Sequence, residues 1–109
     1  MTSENCISLA RKTILDLIPL DEYAVFLFGS RASGAERAHS DMDVGFLGSK
    51  AIPAKLRFDI EMALEESKIP YHVEIVDFFA IDNRFKAFAL QKAQLWNLPK
   101  NINLNWAKI

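Results

Sequence analysis

The sequence predicts an α/β domain: a three-stranded core sheet packed by helices. Three observations predict it. Apolar residues recur at helical spacing in separate stretches of the chain. Short runs rich in aromatic and β-branched residues alternate with them. Glycine or proline marks most of the junctions.

Residues 4–18 carry Ile7, Ala10, Ile14, Leu15 and Ile18 at helical spacing, which predicts an amphipathic helix stopped by Pro19. Tyr23-Ala24-Val25-Phe26-Leu27-Phe28 is a continuous apolar run and predicts a buried strand ended by Gly29. Residues 30–37 suit a short helix starting at the strand's end, weakened in its middle by Gly34. Asp43-Val44-Gly45-Phe46-Leu47 reads as a second strand, with Gly48-Ser49 as its turn. Pro53 sits where a helix can begin, and Leu56, Ile60, Ala63 and Leu64 give that helix a buried stripe. Ile69-Pro70 breaks it.

Tyr71 to Phe78 alternates as a third strand. Val73, Ile75 and Asp77 take one side, and His72, Glu74, Val76 and Phe78 the other. Asp82 is a natural N-cap for a last helix holding Phe85, Phe88, Ala89 and Lys92. After Leu98-Pro99, Lys100 to Trp106 alternates polar and apolar, like an additional edge strand or an extended tail. Phe85 and Phe88 are expected to cover the sheet as core. Trp96 and Trp106 fit either the core or an exposed contact patch, so residues 95–109 are a candidate partner-contacting tail.

Composition narrows the class. The chain has 109 residues, 50% apolar and 25% charged, the profile of one small soluble domain over 1–109. No apolar stretch approaches the roughly 20 residues that cross a bilayer. The first residues lack the basic and apolar blocks of a signal peptide. Cys6 is the single cysteine, so no internal disulfide forms, and a reducing cytoplasm is the simplest location. Residues 1–82 hold all fourteen acidic and eight of the thirteen basic residues, whereas 83–109 hold five basic residues and no acid. That basic end suits phosphate or an acidic partner, or is simply a solvated surface. The overall charge of −1 argues against a dedicated nucleic-acid binder.

The chemistry concentrates between Phe28 and Phe46. A glycine at a strand's end allows close backbone approach. A helix starting there offers unpaired N–H groups to a phosphate, Ser30 adds a donor, and Arg31 adds a fixed charge. Gly29-Ser30 alone also fits an ordinary strand-to-helix turn. Asp41 and Asp43 are separated by one residue, so at the start of a strand they share a face. Two such carboxylates repel unless a cation joins them, and their oxygens suit Mg²⁺. Asp41-Met42-Asp43 alone also fits a polar loop capped by Ser40 and Asp41. Glu74 interrupts an apolar strand, where a carboxylate is expensive unless it is paired, bound to metal or on an edge facing water.

Together these residues resemble the nucleotidyltransferases of the DNA polymerase beta superfamily. Their pattern is an apolar residue, Gly-Ser or Gly-Gly, about ten residues, then Asp-apolar-Asp-apolar. Phe28-Gly29-Ser30 and Asp41-Met42-Asp43-Val44 fit each position. The single-domain minimal nucleotidyltransferases, MNT or MntA-like, are the nearest likeness. Their G-S-R-A-x-G and S-D-x-D stand here as Gly29 to Gly34 and Ser40 to Asp43. Their third-strand acid, usually aspartate, stands here as Glu74 in Val73-Glu74-Ile75-Val76-Asp77, one methylene longer.

The resemblance covers residues 7–92 and implies a nucleotidyltransferase fold with a small mixed sheet. It implies Gly29, Ser30, Arg31 and Ser40 on the triphosphate. Asp41, Asp43 and Glu74 become both metal ligands and the catalytic carboxylates, with two Mg²⁺ ions and ATP as the nucleotide. The implied activity is AMP transfer to a hydroxyl of a partner protein. The implied partner is a HEPN-domain, ribonuclease-like toxin, for which this chain is the antitoxin; homo- and hetero-oligomers are both compatible with this. The alternative is a catalytically weak or inactive nucleotide-binding protein that neutralises a HEPN-type partner by complex formation. A stand-alone nucleotide sensor is a third reading.

Overall fold

A computed structural model describes residues 2–29, 32 and 41–102 of the chain. Helix α1 spans Ser3–Leu15, and the Thr2 hydroxyl caps it by accepting from the Asn5 N–H at 3.1 Å. Its buried row is Cys6, Ala10 and Ile14, spaced four apart. The helix ends before Ile18, which is still buried.

Strand β1, Tyr23–Phe28, is buried at all six positions, as a continuous apolar run requires of a central strand. Strand β2, Met42–Gly48, pairs with it antiparallel. Helix α2, Ala54–Glu65, follows Pro53 and carries the chain across to β3, Val73–Asp77, which pairs with β2 in parallel. Asp82 accepts from the Phe85 N–H at 2.9 Å and starts helix α3, Asn83–Leu90. Strand β4, Gln94–Asn97, returns antiparallel to β1. The sheet is therefore mixed, in the order β3-β2-β1-β4.

Each face of the sheet has its own core. Tyr23, Val25, Leu27, Val44, Phe46, Ile75 and Trp96 pack with Cys6, Ala10 and Ile14 of α1 and with Ile60 and Leu64 of α2. Ala24, Phe26, Phe28, Leu47 and Phe78 pack on the opposite face with Ala89 of α3. There the rings of Phe26 and Phe28 meet Phe78 edge-on at 5.0 and 5.3 Å. Gly45 leaves them room: a Cβ on it would lie 2.4 Å from the Phe26 ring.

The sheet has the additional edge strand that the sequence allowed, here Gln94–Asn97, and Trp96 on it is core at 7% exposure. Side chains decide its place: the Asn97 amide donates to the carbonyls of Leu20 and Tyr23, both at 2.8 Å. Lys100 and Asn101 form a turn, and the rest of the alternating stretch, with Trp106, lies outside the described residues. Phe88 is not core but 71% exposed, and Phe85 is 41% exposed although its ring stacks on Phe78 at 5.8 Å. In so short a helix Phe85 and Ala89, four apart, form the row on the sheet, and Phe88 is turned about 100° from Ala89. The short helix expected over 30–37 lies outside the described residues apart from Ala32, whose carbonyl accepts from the Gln94 side chain at 3.2 Å.

Candidate active site

Three strands bring the candidate residues into one row. Phe28 is paired with Asp43, and Asp43 with Glu74. Neighbouring strands lie about 4.8 Å apart, so Asp43 and Glu74 are adjacent on the α3 face of the sheet. Asp41 lies two residues before Asp43, just ahead of β2, and is exposed. The residue between them explains their common direction. Met42 is fully buried against the α1–α2 core, and Val44 is its equal on the other side of Asp43. Burying Met42 and Val44 on one face forces Asp43 onto the other.

Gly29 closes the row. Its φ is +78°, a conformation that side chains with a Cβ rarely adopt. A Cβ at Gly29 would sit 2.5 Å from Asp43 Oδ2. The end of β1 thus runs directly against the Asp43 carboxylate, and only a glycine backbone fits there.

Electrostatics ties the acids together. Burial raises the pKa of Asp43, the charges of Asp41 and Glu74 raise it further, and the nearby His72 ring offsets part of this. Asp43 thus feels both neighbouring carboxylates. His72 Nε2 lies 2.7 Å from Glu74 Oε2. Asp77 is turned away from this group and serves the fold, accepting from the N–H groups of Ile52 at 2.8 Å and Phe79 at 3.0 Å.

Among the described residues, no three His, Cys, Asp or Glu side chains close into a cage that would hold a metal ion alone. Mg²⁺ rarely needs one, because it usually takes one or two carboxylates plus substrate phosphates. A half-buried carboxylate destabilised by neighbouring carboxylates, beside an open glycine backbone, is a donor set that fits a phosphate-bound cation.

Ser30, Arg31 and Ser40 lie outside the described residues. His72 is the residue that the sequence reading placed as a plain strand residue. The signal for its contact was its position two before Glu74, which puts both side chains on one face of a strand. A pocket of about 570 Å³ opens between α2 and the loop that leads into β3. Phe58, Met62, Ile69 and Tyr71 line it, and it shares only His72 with the acidic row.

Residues 21–97 match the polymerase beta nucleotidyltransferase family. The probable protein adenylyltransferase MntA of Haemophilus influenzae is 32% identical over 76 residues, which are 69% of this chain and 65% of that protein. Among solved structures, a toxin–antitoxin structure with AMP-PNP superposes with a TM-score of 0.66 at 22% identity, covering 92% of this chain and 76% of the other. The tri-AMPylated HEPN toxin of Shewanella oneidensis in complex with MNT antitoxin gives 0.56 at 17% identity, covering 82% and 70%. At these identities the structures speak for the fold.

Proposed function

Because this chain belongs to the polymerase beta nucleotidyltransferase family, we propose that it is a Mg²⁺-dependent protein adenylyltransferase. It transfers AMP from ATP to a hydroxyl of a HEPN-type partner and acts as the antitoxin of that pair. The observation that carries the reading is the packing of Gly29 against Asp43, in the strand row that also holds Glu74. The MntA relative, the AMP-PNP bound in one similar structure and the AMPylated HEPN toxin in another support the choice of nucleotide and acceptor.

Each residue has a task in this reading. Gly29 lets the triphosphate approach the backbone at the end of β1, where Ser30, Arg31 and Ser40 add donors and charge. Asp41, Asp43 and Glu74 would hold the metal. Mg²⁺ bound there, as a pair of ions, would offset charge on the phosphates and lower the cost of in-line displacement at the α-phosphorus. Glu74 takes the proton of the attacking hydroxyl. The hydroxyl oxygen bonds to the α-phosphorus, the bond from that phosphorus to the bridging oxygen breaks, and pyrophosphate leaves. The partner keeps a phosphodiester-linked AMP.

A second reading rests on Glu74 itself, which is exposed and already held by His72. In it the chain binds nucleotide weakly and neutralises its partner by complex formation alone. One labelling experiment separates the two. Purified protein, Mg²⁺ and α-labelled ATP are incubated with the co-expressed partner, beside an Asp43→Asn control. A labelled partner band with the wild type only is expected. Labelling retained by the control would overturn the catalytic reading, and no labelling beside a stable complex would favour binding.

A further inference from the structure

We propose that His72 is a positioning residue that fixes the carboxylate of Glu74 for the reaction. This rests on the transferase reading above. The glutamate at this place has one more rotatable bond than an aspartate, so its carboxylate needs something to fix it. Among the described residues β3 is the edge strand of the sheet, and the Glu74 side chain is 49% exposed. Packing therefore does not hold the carboxylate. Among the described residues its hydrogen-bond partner is the His72 ring, at 2.7 Å.

His72 is suited to this because its own backbone is tied to the acidic pair. Its carbonyl accepts from the Met42 N–H at 3.0 Å, the first rung between β2 and β3. Met42 is the residue between Asp41 and Asp43. The ring that holds Glu74 is thus anchored one rung from the two aspartates. The hydrogen bond from the imidazole to Oε2 fixes the direction of the carboxylate, and with it that of Oε1. The ring is exposed, at 62%, so its removal leaves the core intact.

The test is a cycle of four proteins: wild type, His72→Ala, Glu74→Asp and the double variant, with His72→Gln as the conservative replacement. Two readouts are taken across a Mg²⁺ titration: AMP transfer to the partner, and protection from thermal unfolding by α,β-methylene ATP, which cannot react. In His72→Ala the Mg²⁺ concentration for half-maximal protection is expected to rise about tenfold, the scale typical of groups that orient metal ligands. His72→Gln, which keeps a donor, recovers most of that loss. In the Glu74→Asp background removal of His72 changes the requirement less than about twofold, because the shorter side chain does not reach the ring.

Equal losses in both backgrounds, or an unchanged Mg²⁺ requirement in His72→Ala, would overturn the positioning role while leaving the transferase reading in place. A wild type showing no Mg²⁺-dependent protection at all would overturn the transferase reading, and the role of His72 with it.

Discussion

Replacing Gly29 with alanine tests the closest contact of the site. Two costs are expected. A Cβ-bearing residue held at φ +78° costs about 1–2 kcal/mol relative to glycine. The new methyl would also stand 2.5 Å from Asp43 Oδ2, where ordinary contacts begin at 3.4 Å. The carboxylate must retreat by about 1 Å, and forcing it off its rotamer costs about 0.5–1.5 kcal/mol more. The sum is about 1.5–3.5 kcal/mol. For 109 residues, unfolding entropy makes each kcal/mol about 4 °C, so Tm falls by about 6–15 °C.

Thermal unfolding by circular dichroism, measured for wild type, Gly29→Ala, Asp43→Ala and the double variant, separates the two costs. With Asp43 truncated only the backbone cost remains, so Gly29→Ala should lose about 4–9 °C in that background. A Gly29→Ala protein within about 2 °C of wild type would refute the left-handed backbone. Equal losses in both backgrounds would refute the contact with Asp43. Transfer should fall further than stability accounts for, because the displaced carboxylate is one of those proposed to hold the metal.

Asp43→Asn should abolish transfer yet raise Tm at neutral pH. The folded pKa of Asp43 is raised, first by burial and then by Asp41 and Glu74, so the folded state holds its proton more tightly than the unfolded chain. The wild type therefore loses stability as pH rises from the ordinary carboxylate value through the raised one, and the advantage of Asn should vanish in acid; a Tm gap independent of pH would contradict this. Asp77→Ala removes the acceptor for two backbone N–H groups and should cost about 1–3 kcal/mol by urea unfolding, with nucleotide binding intact in the folded fraction. Phe78→Ala, at the centre of the aromatic cluster, should cost about 3–5 kcal/mol, against less than about 0.5 kcal/mol for Phe88→Ser, and a reversed order would refute the two environments.

Much of this architecture is legible in the sequence because single-residue patterns dictate it. The run from Tyr23 to Phe28 has no polar position, so it reads as a central strand with the bounds observed. The spacing of Asp41 and Asp43 around an apolar residue gives their common face, since Met42 has only the core to go to. What stayed hidden depends on partners distant in sequence. Gln94 to Asn97 has too short a pattern to announce a strand, and β1 supplies its pairing across some seventy residues, the Asn97 amide reaching Tyr23 at a separation of 74. Phe88 looked like core because it is large and apolar, but a helix of eight residues seats few side chains on the sheet, and its one buried residue is Ala89. The contact between His72 and Glu74 could be seen as a shared face, not as a hydrogen bond.

The strand order has a consequence for how the protein matures. The two central strands, β1 and β2, are made first, and both flanking strands come from the second half of the chain. During synthesis the antiparallel pair must wait for its neighbours, with unsatisfied edges on both sides and the long crossover through α2 still to close. Glu74 joins Asp43 only when that crossover has closed, and Trp96 seals the α1–α2 core later still. The acidic row is therefore assembled late, and a ribosome-bound chain exposing residues up to 70 carries both aspartates without the strand that brings Glu74 to them.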